Sequence, residues 1–315
     1  MAGMNRKSKV GLVGTGMVGA SFAYALMQRG LANELVLIDA DAARAEGEAM
    51  DLNHGLPFVR PMRMYAGSYE QLAGAEVVVI CAGSNQRPGE TRLDLLQRNA
   101  AVFRDIVPKV VAAAPDAIVV IATNPVDILT TISEQIAGLP PGRVIGSGTI
   151  LDTARLRYLL GEHYRVDPRS VHAYIVGEHG DSELALWSLA NIAGVRLRDF
   201  VGANGRGYDR PALDAIFEQT RNAAYEIIQR KRATYYAIGL GLLTLVEAIL
   251  RDQNTVLTVS SPMRGQYGVD GIAISMPSIV GRTGVGEVLN LTISDEELAA
   301  FQSSAQTLKE RLAQL

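Results

Sequence analysis

Continuous apolar runs in the first half of the chain predict buried strands. They are KVGLVG at residues 9–14, ELVLID at 34–39, AEVVVICAG at 75–83, DAIVVIATN at 116–124 and VIGSG at 144–148. Because these runs do not alternate between apolar and polar residues, both faces of each strand should be buried, as in a parallel sheet.

Amphipathic segments separate these runs. Apolar residues recur at helical spacing in residues 17–28, 42–53 and 92–114. Strands that alternate with helices predict an α/β fold, here a doubly wound parallel sheet of the Rossmann type.

The pattern changes after residue 149. It predicts helices at 151–163, about 210–231 and 237–251, strands at 171–175, 254–261 and 271–280, and a polar terminal helix from residue 295. We therefore predict a boundary near residue 148, between a Rossmann domain of residues 1–148 and an α+β domain of residues 149–315.

Composition narrows the classes of partner. The chain has 30 basic and 33 acidic residues, a net charge of -3, and no block of like charges that would suggest a nucleic-acid surface. No run approaches the ~20 apolar residues of a membrane span, and the short charged N-terminus does not predict a signal peptide. The single cysteine, Cys81, lies in an apolar run, which predicts a buried thiol and a cytoplasmic location. A small-molecule partner is favoured.

The stretch VGTGMVGA, which follows the first predicted strand and opens a helix, contains Gly14, Gly16 and Gly19. In this context GxGxxG predicts a tight turn, a close approach of a pyrophosphate to the backbone, and close packing of helix on strand. Asp39 ends the second strand, where a carboxylate would accept hydrogen bonds from an adenosine ribose and repel a ribose phosphate. NAD is therefore favoured over NADP. The alternative is a glycine turn with a surface aspartate.

Further polar and small residues follow later strands. Ala82, Gly83 and Asn124 lie at the carboxyl ends of the third and fourth strands, the edge at which open parallel sheets bind ligands. The Asn124 amide could bind a nicotinamide ribose or a substrate hydroxyl, and a plain turn asparagine is the alternative.

The second half contains one histidine in an unusual setting, His179 between two glycines in VGEHGDSE. The helical stretch LDTARLR places Asp152 and Arg155 three residues apart on one face. Arg157 is roughly 200° around the helix from Arg155 and must point elsewhere. A surface ion pair for Asp152 and Arg155, and a structural role for the histidine, are the alternatives.

These motifs together resemble the L-lactate and malate dehydrogenase family. GTILDTARLR, VGEHGDSE, NQRPGETRLDLLQRN and VGTGMVGA all carry the resemblance, which extends from about Lys9 to the final helix. Within the family, the bacterial L-lactate dehydrogenases are the most similar branch. The resemblance implies a Rossmann NAD-binding domain, a catalytic domain, and an NAD-dependent enzyme that reduces pyruvate to L-lactate.

The resemblance also implies roles for individual residues. His179 would donate and accept the proton, Asp152 would orient the imidazole, and Arg155 would bind the substrate carboxylate through two hydrogen bonds. Arg92 would polarise the carbonyl as its loop closes, and Thr234 would contact substrate. The implied cofactor contacts are Gly14, Gly16, Val18, Gly19, Asp39, Arg44, Tyr65, Ala82, Gly83, Asn124 and Ser147. No metal is expected.

Substrate choice depends on the loop SNQRPGET. Members that reduce oxaloacetate resemble one another in carrying arginine where this chain has Gln86. A neutral Gln86 suits the methyl group of pyruvate, and Arg87 is interpreted as facing solvent. A malate dehydrogenase is the close alternative, and a nicotinamide-binding protein without turnover is an alternative from another class.

Arg157 and His172 match the residues that bind fructose 1,6-bisphosphate in allosteric members of this branch. The resemblance therefore implies a homotetramer with this activator between subunits. The alternative is an exposed helix arginine and a partly buried strand histidine.

Overall fold

The computed structural model describes residues 8–84 and 92–315, without the side chain of Arg92. Its helices are α1 (Met17–Arg29), α2 (Ala42–His54), α3 (Arg92–Ala113), α4 (Val126–Ala137), α5 (Ile150–Tyr164), α6 (Arg210–Lys231), α7 (Tyr236–Leu250) and α8 (Asp295–Leu312). None of the described helices is both long enough and apolar enough to cross a membrane.

The strands divide into a long parallel series, several short pairs and three late strands. They are β1 (Lys9–Val13), β2 (Glu34–Ile38), β3 (Arg63–Ala66), β4 (Val77–Ile80), β5 (Ile118–Ile121), β6 (Val144–Gly146), β7 (Val171–His172), β8 (Ile175–Val176), β9 (Leu184–Ala185), β10 (Asn191–Ile192), β11 (Val195–Arg196), β12 (Thr255–Arg264), β13 (Asp270–Gly281) and β14 (Gly284–Val288).

The main sheet has nine strands in the order β14-β13-β12-β6-β5-β4-β1-β2-β3. Its parallel part has the strand order 3-2-1-4-5-6 of a Rossmann fold, and the order reverses between β1 and β4. The carboxyl ends of these two strands therefore form the crevice in which a ligand is expected. The predicted Rossmann sheet is confirmed.

Three antiparallel strands from the second half extend the same sheet. Ser260 of β12 pairs with Gly146 of β6, and β13 and β14 follow outward. The predicted strands at 254–261 and 271–280 are confirmed, and the structure adds that they continue the first half's sheet.

Apolar side chains cover both faces of the sheet. One buried cluster joins β4 and β5 to α3, α4 and α8 through residues such as Phe103, Ile128 and Phe301. The other joins β1 and β2 to α1 and α7 through Phe22 and Leu242. A third cluster, around Leu156 and Tyr164, packs α5 and α6 over the short strands. The continuous apolar sequences of the strands thus agree with the burial of both faces of the sheet.

The sequence pattern missed six elements and joined two others. Helix α4 and the strands β3, β9, β10, β11 and β14 were not predicted, although α4 packs beside β6 and carries residues of the site described below. The strand predicted at 171–175 is interrupted, because β7 pairs with β10 whereas β8 pairs with β9 in a different sheet.

Candidate active site

The glycine loop joins β1 to α1 and lies directly against the end of β4. Gly14 has φ of +97°, and a Cβ there would lie 2.3 Å from the backbone nitrogen of Ala82. A Cβ on Gly19 would lie 2.0 Å from the Gly14 carbonyl oxygen. Glycine is therefore required at both positions, one for the turn and one for the contact of helix with loop.

Gly16 differs from its two neighbours because a Cβ there would meet no protein atom within 4 Å. It is the N-cap of α1, no side chain caps this helix end, and the first turn has no acidic residue. The free N–H groups and the positive end of the helix dipole therefore face open space. This geometry fits the pyrophosphate of a dinucleotide.

Asp39 is fixed against the glycine loop by Thr15. The backbone N and the Oγ1 of Thr15 donate to Asp39 Oδ2 at 2.7 and 2.9 Å, and Asp41 N donates to Oδ1 at 3.0 Å. Burial alone would raise the pKa of Asp39, but these hydrogen bonds outweigh it and hold that pKa below its usual value. Asp39 is thus an anion, and the exposed Arg44 side chain lies close enough to favour this charge.

Tyr65 lies apart from the other predicted cofactor residues. Its hydroxyl donates to Glu34 Oε1 at 2.6 Å, at the beginning of β2, whereas Asp39 follows the end of that strand, roughly 16 Å away. Burial and this hydrogen bond raise the pKa of Tyr65 to about 12. The prediction for Tyr65 is corrected on this ground, because its polar atom is directed to the opposite end of the sheet.

Tyr69 is the tyrosine on the Asp39 side of the sheet. It is half-buried, and burial, Asp105 and Asp39 together raise its pKa. The sequence reasoning did not select Tyr69, although it lies four residues after Tyr65 in the same segment.

Of the remaining predicted cofactor residues, Ala82, Gly83 and Ser147 follow the ends of strands, whereas Val18 lies in α1. Thr123 Oγ1 donates to the Ala82 carbonyl at 2.7 Å, and a Cβ on Gly83 would lie 2.3 Å from Thr123 Cγ2. Ser147 follows β6 and is buried, and Val18 is half-buried in the first turn of α1. Cys81 is partly exposed, but burial of its thiol raises the pKa to about 12, as expected for an unreactive group.

Asn99 of α3 ties two of these strand ends together, and it was not predicted. It is buried, its Oδ1 accepts from Ser84 N at 2.9 Å, and its Nδ2 donates to the Asn124 carbonyl at 3.0 Å. The backbone beside Asn124 is therefore held from α3.

The structure brings His179, Asp152 and Arg155 together. His179 Nδ1 lies 2.6 Å from Asp152 Oδ2, and Arg155 donates to Asp152 Oδ1 at 2.8 Å. The Asp152 side chain is only 3% exposed, whereas that of His179 is 24% exposed. The carboxylate thus holds one ring nitrogen while the other edge of the imidazole is accessible from the cleft.

Burial alone would lower the pKa of His179, but the charge of Asp152 outweighs it and, together with Asp127 and a smaller contribution that Glu183 makes only when it is ionised, raises the pKa to about 9. Asp127, in the first turn of α4, also accepts from the backbone N of His179 at 2.8 Å. Burial raises the pKa of Asp127 to about 6, so this carboxylate is mainly charged at neutral pH. Asp127 was not predicted, although it follows Asn124 and Pro125 closely in sequence.

The terminal helix α8 supports the histidine loop. Ser304 Oγ accepts from Glu178 N at 2.8 Å, and Ser182 Oγ donates to Glu178 Oε2 at 2.5 Å. Arg311 forms an ion pair with the same buried glutamate. Residues about 130 positions apart therefore hold the backbone on which His179 is carried.

A cleft of about 600 Å³ opens in front of His179. Its described lining is Leu93, Leu95, Leu96, Asn124, Pro125, Ile128, Glu178, His179, Gly180, Asp181, Tyr225, Arg311 and Gln314. An apolar wall from α3 and α4 thus faces polar groups from the histidine loop, α6 and α8. This combination can hold a small polar molecule against the imidazole.

Gln86, Arg92 and Thr234 are the remaining predicted substrate residues, and Arg87 follows the first of them in sequence. Gln86, Arg87 and the side chain of Arg92 lie outside the described residues. Thr234 is half-buried in the link between α6 and α7, and its substrate contact stays a prediction.

Arg157 points away from Arg155, as expected from the helical spacing. Its Nε donates to the Ala173 carbonyl at 3.0 Å, and its guanidinium lies 5.2 Å from the ring centre of Tyr174. His172 is exposed on β7, two residues before Tyr174. The structure therefore brings the Arg157 side chain to the segment that carries His172.

Both halves of the chain match models of one family. Residues 8–146 match lactate/malate dehydrogenase, NAD binding domain, and residues 149–315 match lactate/malate dehydrogenase, alpha/beta C-terminal domain.

Similar proteins are found over nearly the full length. The chain is 50% identical over 308 residues to an L-lactate dehydrogenase of Thermoanaerobacter pseudethanolicus, covering 98% of this chain and 99% of that protein. It is 52% identical over 302 residues to an L-lactate dehydrogenase of Acetivibrio thermocellus, covering 96% and 95%. A ligand-bound crystal structure of the minor L-lactate dehydrogenase from Enterococcus mundtii superposes with a TM-score of 0.95, at 46% identity, over 98% of both chains.

Proposed function

The chain belongs to the lactate/malate dehydrogenase family and is an NAD-dependent oxidoreductase, and on that premise we propose that it catalyses the reversible reduction of pyruvate to L-lactate with His179 as the proton donor and acceptor. The single observation that carries the residue assignment is the 2.6 Å contact between His179 Nδ1 and the buried Asp152. Membership of the enzyme family sets aside the alternative of a binding protein without turnover.

The reaction adds a hydride to the carbonyl carbon of pyruvate and a proton to its oxygen. NADH supplies the hydride when it is bound along the glycine loop. His179, protonated at neutral pH, gives its proton to the oxygen, while Asp152 stabilises the cation and fixes the ring through Nδ1. In lactate oxidation the neutral imidazole takes the proton back.

Arg155 is proposed to bind the substrate carboxylate. Its side chain is 13% exposed, and its guanidinium donates to Asp152 through one terminal nitrogen, so a further donor edge is available for a second, bidentate partner. Arg92 is proposed to polarise the carbonyl, and Thr234 to contact the substrate, both on the resemblance to the family.

Preference for pyruvate over oxaloacetate is supported by the charge of the described cleft. Among its described lining residues Arg311 is the one arginine, and its charge is offset by the ion pair with Glu178. A second substrate carboxylate would therefore lack a free cation in this part of the cleft. Gln86 is proposed to serve as the neutral selector.

The test of the proposed function is NADH oxidation by the purified protein with pyruvate or oxaloacetate. We expect a strong preference for pyruvate, and the Gln86→Arg variant should shift the preference toward oxaloacetate. A preference of the unmodified protein for oxaloacetate would overturn the substrate assignment in favour of a malate dehydrogenase.

Activation by fructose 1,6-bisphosphate is a separate proposal. It is supported by the cationic Arg157 beside the segment that carries the exposed His172. The sugar should lower the pyruvate concentration needed for half-maximal rate, and Arg157→Gln should abolish that response. A response that persists in the variant would contradict this site.

A homotetramer is proposed because large apolar side chains are exposed on two adjoining helices. Met17 and Tyr24 of α1 are 58% and 54% exposed, and Tyr236 and Leu240 of the adjoining α7 are 69% and 58% exposed. A patch of this kind is typical of an interface between subunits. Light scattering after size exclusion should give the tetramer mass, and Leu240→Glu should give a smaller species.

The cytoplasmic location and the two-domain division at residue 148 stay predictions.

A further inference from the structure

Glu183 is a buried carboxyl for which the proton transfer described above has no use. It directly precedes β9, is 5% exposed, and its backbone N donates to the Gly180 carbonyl at 3.2 Å, which turns the loop back on itself. Its Oε1 is shielded from solvent and has no hydrogen-bond partner among the described residues. A buried carboxylate in this state would be costly unless a cation neutralised it.

The nearest charged groups are those of the proton-transfer site. Polar atoms of Asp152, His179 and Glu183 all lie within 4.8 Å of one another. Both oxygens of Asp152 and the Nδ1 of His179 are already engaged in hydrogen bonds of 2.6 and 2.8 Å. The hydrogen bonds that join Asp152 to His179 and to Arg155 therefore do not include Glu183.

Three cations among the described residues lie close enough to favour a charged Glu183, and each has another partner. Protonated His179 and Arg155 are bound to Asp152, and Arg221 makes two hydrogen bonds of 2.7 Å to Glu218. Burial and the repulsion from Asp152 outweigh these three cations and raise the pKa of Glu183 to about 9.

A third negative charge would alter the proton step. Asp152 and Asp127 already stabilise the protonated imidazole. A charged Glu183 would bind the proton of His179 still more tightly and slow its transfer to the carbonyl. A neutral Glu183 avoids this, in the same way that two nearby carboxyls in other enzymes are kept in different protonation states.

We propose that Glu183 is a positioning residue of the proton step, a carboxyl that stays protonated in the working enzyme and leaves the proton affinity of His179 to Asp152 and Asp127. The proposal deepens the role given to His179. At alkaline pH, Glu183 and His179 then lose their protons as a coupled pair.

The decisive variant is Glu183→Gln, which keeps the shape of the neutral carboxyl and cannot ionise. We expect kcat/KM for pyruvate near pH 7 to stay within about threefold of the unmodified enzyme, far less than the tenfold that accompanies a shift of one pKa unit. The alkaline limb of the pH profile should simplify to one ionisation. A loss above about tenfold near pH 7, with the alkaline limb moved to lower pH, would mean that Glu183 is charged and would overturn the proposal. An unchanged profile at every pH would also overturn it.

A second measurement does not depend on activity. Infrared spectra recorded at a pH between the pKa values of Asp127 and Glu183 should contain the C=O stretch of a protonated carboxyl, and Glu183→Gln should remove it. Glu226→Gln is the matched control, because Glu226 is exposed and paired with Arg230 at 2.8 Å. A band that survives in Glu183→Gln would contradict the proposal, whereas failure of the His179 assignment would leave this band unaffected.

Discussion

The glycine loop between β1 and α1 and the histidine loop between β8 and β9 serve one reaction but are built differently. The first is made of backbone, with no side chain capping α1 and open space above Gly16. The second is made of buried charged side chains, with Asp152 and Asp127 contacting His179 from two different helices. The glycine loop therefore offers backbone N–H groups to a ligand, whereas the histidine loop acts through charged side chains.

This difference has a consequence for how mutations act. Substitution in the glycine loop adds atoms where a ligand or a neighbouring strand must approach, so cofactor binding and packing should suffer first. Substitution around His179 removes a charge or a hydrogen bond, so the proton step should suffer while cofactor binding is retained. Cofactor binding and the proton step should therefore be separable by mutation.

The largest effect is expected for His179→Ala. Loss of the proton donor should reduce kcat/KM for pyruvate by roughly 10²–10⁴-fold, the usual contribution of a general acid. NADH affinity, measured by fluorescence titration, should remain close to that of the unmodified protein. A parallel loss of NADH affinity would show that the two loops are not separable.

Next in size are two alanine variants of the glycine loop. Gly19→Ala would place a Cβ 2.0 Å from the Gly14 carbonyl oxygen, so both Tm and NADH affinity should fall, at a stability cost of about 1–3 kcal/mol. Gly16→Ala meets no protein atom, so Tm should hold while NADH affinity falls by about tenfold, or about 1.4 kcal/mol. Equal NADH affinity in Gly16→Ala and the unmodified protein would contradict a pyrophosphate at this position.

Asp127→Ala should have a smaller effect on turnover. It leaves the partly buried backbone N–H of His179 without its acceptor, which costs about 1–3 kcal/mol and should lower kcat by roughly tenfold through misplacement of the ring. Asp127→Asn can still offer an oxygen to this N–H and serves as the matched control, with a loss of no more than a few-fold. If both variants lose activity equally, the charge of Asp127 rather than its hydrogen bond is what matters.

The smallest effect is expected for Thr15→Val. This change removes the 2.9 Å hydrogen bond from Oγ1 to Asp39 but keeps the 2.7 Å bond from the backbone N. NADH affinity should fall by roughly two- to tenfold, the usual value of one hydrogen bond. Thr15→Ser retains the hydroxyl and should bind NADH as the unmodified protein does.

The same contrast explains what the sequence could predict. The glycine loop, the parallel strands other than β3, and Asp39 are local in sequence, so periodicity and motif spacing identified them from the sequence alone. Asn99 and Asp127 act through contacts with residues that are distant in sequence, and no pattern along the chain marks them. The role of α8 was missed for the same reason, because Ser304 and Arg311 resemble ordinary residues of a polar helix until their contacts with Glu178 are known.

The prediction for Tyr65 shows a second limit of reasoning from sequence alone. A tyrosine near the second and third strands was expected at the cofactor edge, but strand position alone does not tell toward which end of the sheet a long side chain extends. The hydrogen bond to Glu34 decides this for Tyr65, and the neighbouring Tyr69 lies on the side of Asp39.

The nine-stranded sheet also limits how the chain can be divided. Pairing of β12 with β6 means that a fragment ending near residue 148 would expose the edge of β6 and lose three strands of its sheet. Such an edge is prone to pair with other chains. In protein engineering, the NAD-binding half therefore cannot be exchanged as a free-standing cassette, and a chimaera that keeps its solubility would need to carry β12, β13 and β14 along with the first half.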